Sequence, residues 1–226
     1  MIRRGIRSSG CFGNRKRTIG KLLFNESMNN SRLSDFISDR AAEVYPEPRT
    51  AGHDDLTARM AALVAPHLSP GASILDVGAG QGPALEWFTA NGFSPLGIAL
   101  GAEDVAACIA AGFRCEQMDQ NALTFPDLAF DCVWARHVLE HSVIPLFTLT
   151  EFARVLQPLG ILYVEVPSDG TSCHHAQNKN HYSVFGAEMW RSLIERAGFE
   201  ILEAREINLQ TGAGPDVYYS WIARKL

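Results

Sequence analysis

The chain has 226 residues, of which 46% are hydrophobic and 20% charged, and its formal net charge is −5 at pH 7. This length and composition favour one soluble globular domain with short additions, and no apolar run reaches the roughly 20 residues needed to span a bilayer. The acidic balance disfavours nucleic acid as a partner. The cysteines form no C-x-x-C pair, which favours a reducing, cytoplasmic compartment.

Basic residues dominate the start of the chain, where Lys and Arg side chains precede the first acid, Glu26. We expect residues 1–30 to form a disordered tail and residues 31–226 to form the domain. Such an Arg-rich, acid-poor start is also compatible with organellar targeting, or with a true start of the protein at Met28.

From residue 54 onward, helical and strand patterns alternate along the chain. The sequence predicts helices over 54–67, 83–91, 102–111, 145–156 and 189–197, and buried strands over 74–77, 94–100, 113–118, 130–135 and 161–166. Two further strands, 199–207 and 216–224, are separated by a Gly- and Pro-rich turn, which predicts a closing antiparallel hairpin. This order is typical of an α/β domain with a mostly parallel sheet.

A glycine-rich turn follows the first predicted strand, in the segment ILDVGAGQG at residues 74–82. Gly78, Gly80 and Gly82 would let the backbone bend sharply and would let a ligand approach without interference from a Cβ atom. The turn therefore indicates a nucleotide-like ligand, although a tight strand-to-helix turn without a ligand also favours glycine.

The spacing of these glycines, G-x-G-x-G, differs from the G-x-G-x-x-G fingerprint of dinucleotide-binding domains, since Pro83 occupies the place of the last glycine. Asp76, at the end of the first strand, would repel a pyrophosphate but would suit a ligand that carries an ammonium and a sulfonium group. Both observations disfavour a nicotinamide dinucleotide.

Later segments repeat the pattern of one known family in the same order: FDCVWARHVLEH at 130–141, FARVLQPLGILYVEVP at 152–167, and HYSVF followed by AGFE. With the glycine loop, they resemble the class I S-adenosylmethionine-dependent methyltransferase family over about residues 54–226. The resemblance implies a three-layer α/β sandwich with a mostly parallel seven-stranded sheet whose last strand is antiparallel. It also implies that S-adenosylmethionine lies across the carboxyl ends of the strands.

The same resemblance implies a set of cofactor-binding residues: Asp76, Gly78, Ala79, Gly80, Ala99, Asp119, Gln120, Ala135 and Arg136. Those of the glycine loop would contact the methionine part, Asp119 and Gln120 would flank the adenine, and the last two would line the site. Members of the family usually bind the ribose hydroxyls with an acid at the end of the second strand, where this chain has Ala99. Glu103 or Asp104 could replace it, although both also suit the N-terminus of a helix.

The string HVLEH offers a candidate metal or base site. In a helix, His137, Glu140 and His141 would project from one face, and with His181 they resemble the E-x-x-E-H plus distal His pattern of metal-binding methyltransferases. His137 replaces the first Glu of that pattern, which disfavours Mg²⁺ because this ion prefers oxygen ligands. Without a metal, His141 or His181 would act as the general base.

The polar stretch over 167–181 contains Cys173, His174 and His175, and we interpret it as a mobile lid or substrate loop rather than a metal site. An acidic domain with such a loop suits a small-molecule acceptor, and O-methylation is the favoured reaction. Two alternatives stay open. The chain would otherwise be a non-catalytic binding protein that keeps the fold, which Ala99 supports, or an NAD(P)-dependent oxidoreductase.

Overall fold

The computed structural model describes residues 49–226, together with residues 32, 34–37 and 39. The predicted tail over residues 1–30 lies outside the described residues. The chain divides into two units, Met1–Asp35 and Phe36–Leu226. In the first unit, the described residues 32, 34 and 35 are helical. The second unit contains the sheet and the cleft.

The helices and strands alternate as the sequence predicts. The helices are α1 (Ala51–Val64), α2 (Pro83–Ala90), α3 (Ala102–Ala110), α4 (Pro145–Val155) and α5 (Ala187–Arg196). The strands are β1 (Ser73–Val77), β2 (Ser94–Ala99), β3 (Cys115–Gln117), β4 (Phe130–Arg136), β5 (Leu156–Pro167), β6 (Phe199–Thr211) and β7 (Gly214–Lys225). Among the helices of the described residues, none is both long and apolar enough to cross a membrane.

The strands form one seven-stranded sheet in the order β3-β2-β1-β4-β5-β7-β6. Strands β1 to β5 run parallel, and β7 pairs antiparallel with both β5 and β6. The predicted mostly parallel sheet with an antiparallel last strand is therefore confirmed. After β1 the chain builds outward through β2 and β3, and it then returns to place β4 on the other side of β1. Ligands of open α/β sheets bind at such a reversal of strand order.

Both faces of the sheet are buried. Along β4, Cys132 and Trp134 contribute to one hydrophobic cluster, whereas Val133 and Ala135 contribute to the other. Successive residues of a strand point to opposite faces, so a strand that is covered by helices on both sides must be apolar throughout. This requirement explains why the central strands appear as continuous apolar runs in the sequence.

Helix α2, which follows the glycine loop, is anchored by an aromatic group on one face of the sheet. Phe88 is fully buried, and its ring makes edge-to-face contacts with Trp87, Phe93 and Trp134 at centroid distances of 5.3, 5.8 and 5.4 Å. Edge-to-face pairs of aromatic rings add to the stabilisation that burial provides. The start of α2, and with it the glycine loop, is therefore held by packing.

We expect Phe88→Ala to lower the free energy of unfolding by about 3–5 kcal/mol, because it leaves a cavity among three aromatic rings. Phe147→Ala is the matched control, since Phe147 is 48% exposed, and its effect should stay within about 1 kcal/mol. Equilibrium urea unfolding of the two variants measures the difference. Equal effects would contradict the packing described here.

Candidate functional site

A cleft of about 730 Å³ opens at the carboxyl ends of the parallel strands. Its walls come from the glycine loop after β1, the turns after β2, β3 and β4, and the segment between β5 and α5. The predicted cofactor-binding residues in this wall are Gly78, Ala79, Gly80, Ala99, Asp119, Gln120 and Arg136. The candidate metal ligands His137, Glu140, His141 and His181 also line it. The fold thus brings most of the predicted cofactor-binding residues and all of the candidate metal ligands to one cavity.

Two glycines of the loop have different roles. At Gly78, φ is +73°, and a Cβ atom would lie 2.1 Å from Cγ1 of Val138, so only glycine allows the loop to meet the turn after β4. At Gly80, φ is +51°, and a Cβ atom would meet no protein atom within 4 Å. Because Gly80 lines the cleft, its backbone is open to a ligand.

Asp76 lies behind the cleft wall rather than in it, since its side chain is buried and it is absent from the lining residues. Its Oδ2 atom and Nη2 of Arg136 are buried, and neither has a hydrogen-bond partner among the described residues. Burial raises the pKa of the Asp76 carboxyl to about 8, the nearby Cys108 raises it further, and the charge of Arg136 opposes the shift. The site therefore contains a carboxyl oxygen of Asp76 and a guanidinium nitrogen of Arg136 that are buried and available to hydrogen-bond a ligand.

Arg136 is fixed by a buried carboxylate on the neighbouring strand. Its Nε donates to Oε1 of Glu165 at 2.8 Å, and Nη1 donates to Oγ1 of Thr57 at 3.2 Å. Glu165 also bonds to Nε2 of His137 at 2.7 Å and accepts from the Tyr163 hydroxyl. Burial acts to raise the pKa of Glu165, but the hydrogen bond from His137 and the charges of His137 and Arg136 outweigh it and lower the pKa to about 2. Arg136 is held in the wall as a permanent cation.

The end of β2 carries no acid, as the sequence indicated. Ala99 lines the cleft and has no group that could bind a hydroxyl. Of the two nearby acids, Asp104 lines the cleft and Glu103 does not. Burial raises the pKa of Asp104, and the charge of Glu103 adds to this effect. Asp104 is therefore the carboxyl group that this turn offers to a ligand.

The turn after β3 presents polar side chains in a fixed arrangement. Asp119 accepts hydrogen bonds from the backbone and side chain of Asn121 at 2.8 and 2.9 Å. Gln120 donates to the carbonyl of Val138 at 2.7 Å, while its buried Oε1 has no partner among the described residues. Ala135, predicted to line the site, is fully buried in the core and does not reach the cleft wall.

The expectation that HVLEH forms a helix with three side chains on one face is wrong. His137 adopts a left-handed backbone conformation with φ of +56°, and only Leu139–His141 form a short 3-10 turn. The ring of His137 bonds to Glu165 and stacks on Tyr218 at a centroid distance of 4.4 Å. The carboxylate on β5 thus draws His137 away from the other candidate metal ligands.

Glu140, His141 and His181 do come together, with one ligand atom from each lying within 4.8 Å of the others. Nδ1 of His141 lies 2.9 Å from the carbonyl oxygen of Asn180. Since a carbonyl oxygen only accepts, Nδ1 of His141 carries a proton. Burial lowers the pKa of His181 to about 4, with further lowering from the nearby His141 and His175. His181 is therefore neutral near pH 7.

Several residues of the cleft wall are not predicted by the sequence to be cofactor, metal or catalytic residues, among them His53, His175, Asn178, Asn180 and Tyr218. Some belong to the polar stretch that was interpreted as a substrate loop, so composition gave a partial signal. Tyr218 lies in the last strand and His53 in α1. Nothing in the local sequence of these two elements indicates a ligand site, because their proximity to the cleft arises from the tertiary fold.

We expect Asp76→Asn to stabilise the ligand-free protein near neutral pH. The folded-state pKa of about 8 lies above the usual value of 3.8 for an Asp carboxyl, so the folded state binds the extra proton and loses stability as pH rises through this window, by ~1.4 kcal/mol per pH unit. Thermal unfolding between about pH 4 and about pH 8 measures this. The difference in unfolding temperature between Asp76→Asn and the wild type should be smallest at the acidic end of this pH range. A constant difference would contradict the buried, protonated carboxyl.

A family model described as a methyltransferase domain matches residues 47–204. Among curated proteins, the chain is 28% identical over 174 residues to 27-O-demethylrifamycin SV methyltransferase of Amycolatopsis mediterranei (strain S699), covering 69% of this chain and 63% of that protein. It is 33% identical over 105 residues to 2-methyl-6-phytyl-1,4-hydroquinone methyltransferase of Synechocystis sp. (strain ATCC 27184 / PCC 6803 / Kazusa), covering 43% of this chain and 32% of that protein. The matches thus span less than two thirds of either relative.

Solved structures share the fold. A crystal structure of a SAM-dependent methyltransferase from Methanosarcina mazei superposes with a TM-score of 0.64 at 19% identity, covering 73% of this chain and 97% of that one. The crystal structure of the cyclase SpnF gives a TM-score of 0.64 at 24% identity, covering 74% and 81%. With the match to the family model over most of the chain and the seven-stranded sheet, these findings show that the chain belongs to the class I S-adenosylmethionine-dependent methyltransferase family.

Proposed function

We propose that this protein transfers the methyl group of S-adenosylmethionine to an oxygen atom of a small-molecule acceptor. One observation carries the proposal. A single cleft brings together an open glycine backbone, a fixed arginine and His141, whose Nδ1 donates to a backbone carbonyl. The glycine loop and Arg136 suit the amino acid part of the cofactor, and His141 suits the reacting hydroxyl of an acceptor.

The amino acid part of S-adenosylmethionine carries one carboxylate and one ammonium group, and the buried polar atoms match both. Nη2 of Arg136 has an unused donor for the carboxylate. Oδ2 of Asp76 also has no partner among the described residues, and the positive charge of the ammonium would favour the ionised carboxylate, which accepts from it. Charge-assisted hydrogen bonds of this kind are stronger than neutral ones. The open backbone at Gly80 would lie along the chain of the cofactor.

The nucleoside part would extend along the turns after β2 and β3. We assign the ribose hydroxyls to Asp104, because it is the acid of the β2 turn that lines the cleft. The adenine would lie against Asp119 and Gln120, as the family resemblance implies. Oε1 of Gln120 is an unused buried acceptor, and it suits the amino group of the base.

At the acceptor end, we assign His141 as the general base. Its Nδ1 proton is held by the carbonyl of Asn180, so Nε2 is the atom that would take the proton from an attacking hydroxyl. The methyl group would pass to the acceptor oxygen in line with the departing sulfur, and the protein would contribute mainly by positioning the two reactants. His181, neutral because of its low pKa, is a second acceptor for that proton.

The same cluster is also a candidate for a divalent ion, since Glu140, His141 and His181 converge. One carboxylate and two imidazoles would favour a transition metal over Mg²⁺. We prefer the imidazole base because His137, which would supply the fourth side chain, is committed to Glu165. If a metal ion acts at this cluster, a chelator should lower the rate of methyl transfer. If the imidazole acts as the base without a metal, a chelator should leave that rate unchanged.

The relatives support a small-molecule acceptor. One is named for an O-demethylated rifamycin and the other for a phytylated hydroquinone. The first of these names indicates methylation at oxygen, which agrees with a histidine base in the cleft. At 28% and 33% identity, the relatives indicate the class of acceptor rather than its structure.

A second candidate function rests on Ala99 and on a structural neighbour. Without an acid at the end of β2, the cofactor loses a pair of charge-assisted hydrogen bonds unless Asp104 replaces them. The cyclase SpnF has the same fold, and its name describes a reaction other than methyl transfer. A chain of this family could therefore bind the cofactor weakly and serve as a binding protein, or catalyse a different reaction.

We expect Gly80→Val to weaken the binding of S-adenosylhomocysteine by at least about tenfold, because the added side chain would occupy open space in the cleft. Isothermal titration calorimetry measures this affinity. The matched control is Gly92→Val. Gly92 also has a positive φ and open surroundings, but it lies outside the cleft. The two variants should therefore have similar backbone strain, whereas only Gly80→Val places a side chain in the ligand site.

Equal loss of affinity in the two variants would assign the effect to strain rather than to the loop. If the wild-type protein binds neither S-adenosylhomocysteine nor S-adenosylmethionine, the methyltransferase proposal is wrong, and the binding protein becomes the better assignment. Binding of NAD⁺ in preference to the sulfur compounds would support the oxidoreductase.

We expect His141→Ala to reduce methyl transfer by about 100-fold or more while leaving the affinity for S-adenosylhomocysteine nearly unchanged, because the imidazole acts on the acceptor. Transfer of a labelled methyl group to a panel of phenols and aliphatic alcohols measures the rate. His67→Ala is the control, since His67 pairs with Glu203 and is absent from the cleft wall. An unchanged rate in His141→Ala would remove this residue from the mechanism.

A further inference from the structure

A second group of potential ligands lies next to the cleft, where the segment between β5 and α5 meets the start of β7. Cys173, His175 and Asp216 each place one ligand atom within 4.8 Å of the others. Nε2 of His175 lies 3.1 and 3.0 Å from the two carboxylate oxygens of Asp216. The sequence places Cys173 and His175 in a predicted substrate loop, and nothing in the sequence joins them to Asp216.

Asp216 is a buried negative charge. Its exposure is 1%, and its ion-pair partner is His175. Among the described residues, no Lys or Arg forms an ion pair with it. A buried carboxylate is costly unless it is paired with a cation or coordinates a metal ion.

We propose that Cys173, His175 and Asp216 bind a divalent transition-metal ion, with zinc as the preferred ion. A thiolate, an imidazole and a carboxylate are the three ligand types that zinc accepts, and three protein ligands leave a fourth position for water. The soft thiolate disfavours Mg²⁺ and Ca²⁺, which prefer oxygen ligands. With the thiolate and the carboxylate ionised, the two negative charges of the site balance the charge of the ion.

Neighbouring groups already orient these ligands. The sulfur of Cys173 lies 3.3 Å from Oγ1 of Thr211, and Oδ1 of Asp216 accepts from the backbone N–H of Val217 at 2.9 Å. Cys173 is a free thiol, so it is available as a ligand. Outer contacts of this kind fix the direction of metal ligands and contribute to affinity.

The ion would connect two parts of the chain that form the cleft wall. Cys173 and His175 lie in the segment after β5, whereas Asp216 lies in β7. A backbone hydrogen bond already links these two parts, since the N–H of Ser172 donates to the carbonyl of Pro215 at 3.3 Å. His175 and the nearby His181 line the cleft, and their rings are stacked at a centroid distance of 5.7 Å. A metal at this position would therefore fix the wall that faces the acceptor.

The test uses the full chain, stripped with a chelator and titrated with Zn²⁺ in competition with a chromophoric chelator, and separately with Co²⁺. We expect one equivalent of Zn²⁺ to bind and to raise the unfolding temperature. The Co²⁺ complex should show a thiolate-to-cobalt charge-transfer band in the near ultraviolet. Cys173→Ser should remove that band, and both Cys173→Ser and Asp216→Asn should weaken Zn²⁺ binding by at least about tenfold.

Glu140→Gln is the control variant, because Glu140 belongs to the other candidate cluster, and it should bind Zn²⁺ as the wild type does. Absence of stoichiometric binding would overturn the proposal and leave His175 and Asp216 as an ion pair. Loss of binding in Glu140→Gln, with retention in Cys173→Ser, would also overturn it by assigning the ion to the other cluster. If Asp216→Asn does not fold, the cobalt band and Cys173→Ser decide. These readouts need no methyl transfer, so they are independent of the proposed function.

Discussion

The approach of the glycine loop to the turn after β4 is the contact on which the rest of the site depends. A side chain at Gly78 would collide with Val138, so the loop can lie against this turn only because residue 78 has none. The same contact closes the floor of the cleft at the point where the strand order reverses. On one side it sets the open backbone of Gly80, and on the other it sets the position of the turn that carries Glu140 and His141.

Buried charge organises the remainder of the site. Glu165, on β5, is fully buried and bonds to both Arg136 and His137. A buried carboxylate without partners would be strongly destabilising, so Glu165 holds its partners in fixed positions. Arg136 is thereby fixed in the cleft wall, and His137 is held by Glu165 rather than by the other candidate metal ligands. Asp216 and His175 form a second pair of this kind close by, since the rings of His137 and His175 both contact Tyr218.

The proposed function assigns different roles to different parts of the cavity. Asp76 and Arg136 offer unused polar atoms behind the glycine loop, where a zwitterionic amino acid group would be recognised. The histidines lie near the segment between β5 and α5, where an acceptor would enter. Residue 99 is an alanine rather than an acid, but Asp104, in the first turn of the following helix, lines the same cavity.

Local patterns of apolar residues and glycines are enough to predict the alternation of helices and strands, the closing hairpin and the glycine loop. Which side chains meet is specified by the tertiary fold. His137 and Glu140 are three positions apart, yet a left-handed backbone at His137 and the carboxylate of Glu165 separate them. Conversely, His175 and Asp216 are 41 positions apart and bond directly, because the pairing of β5 with β7 brings distant segments to one sheet edge. Spacing along a chain specifies local conformation, whereas contacts between strands are specified by burial and charge over the whole fold.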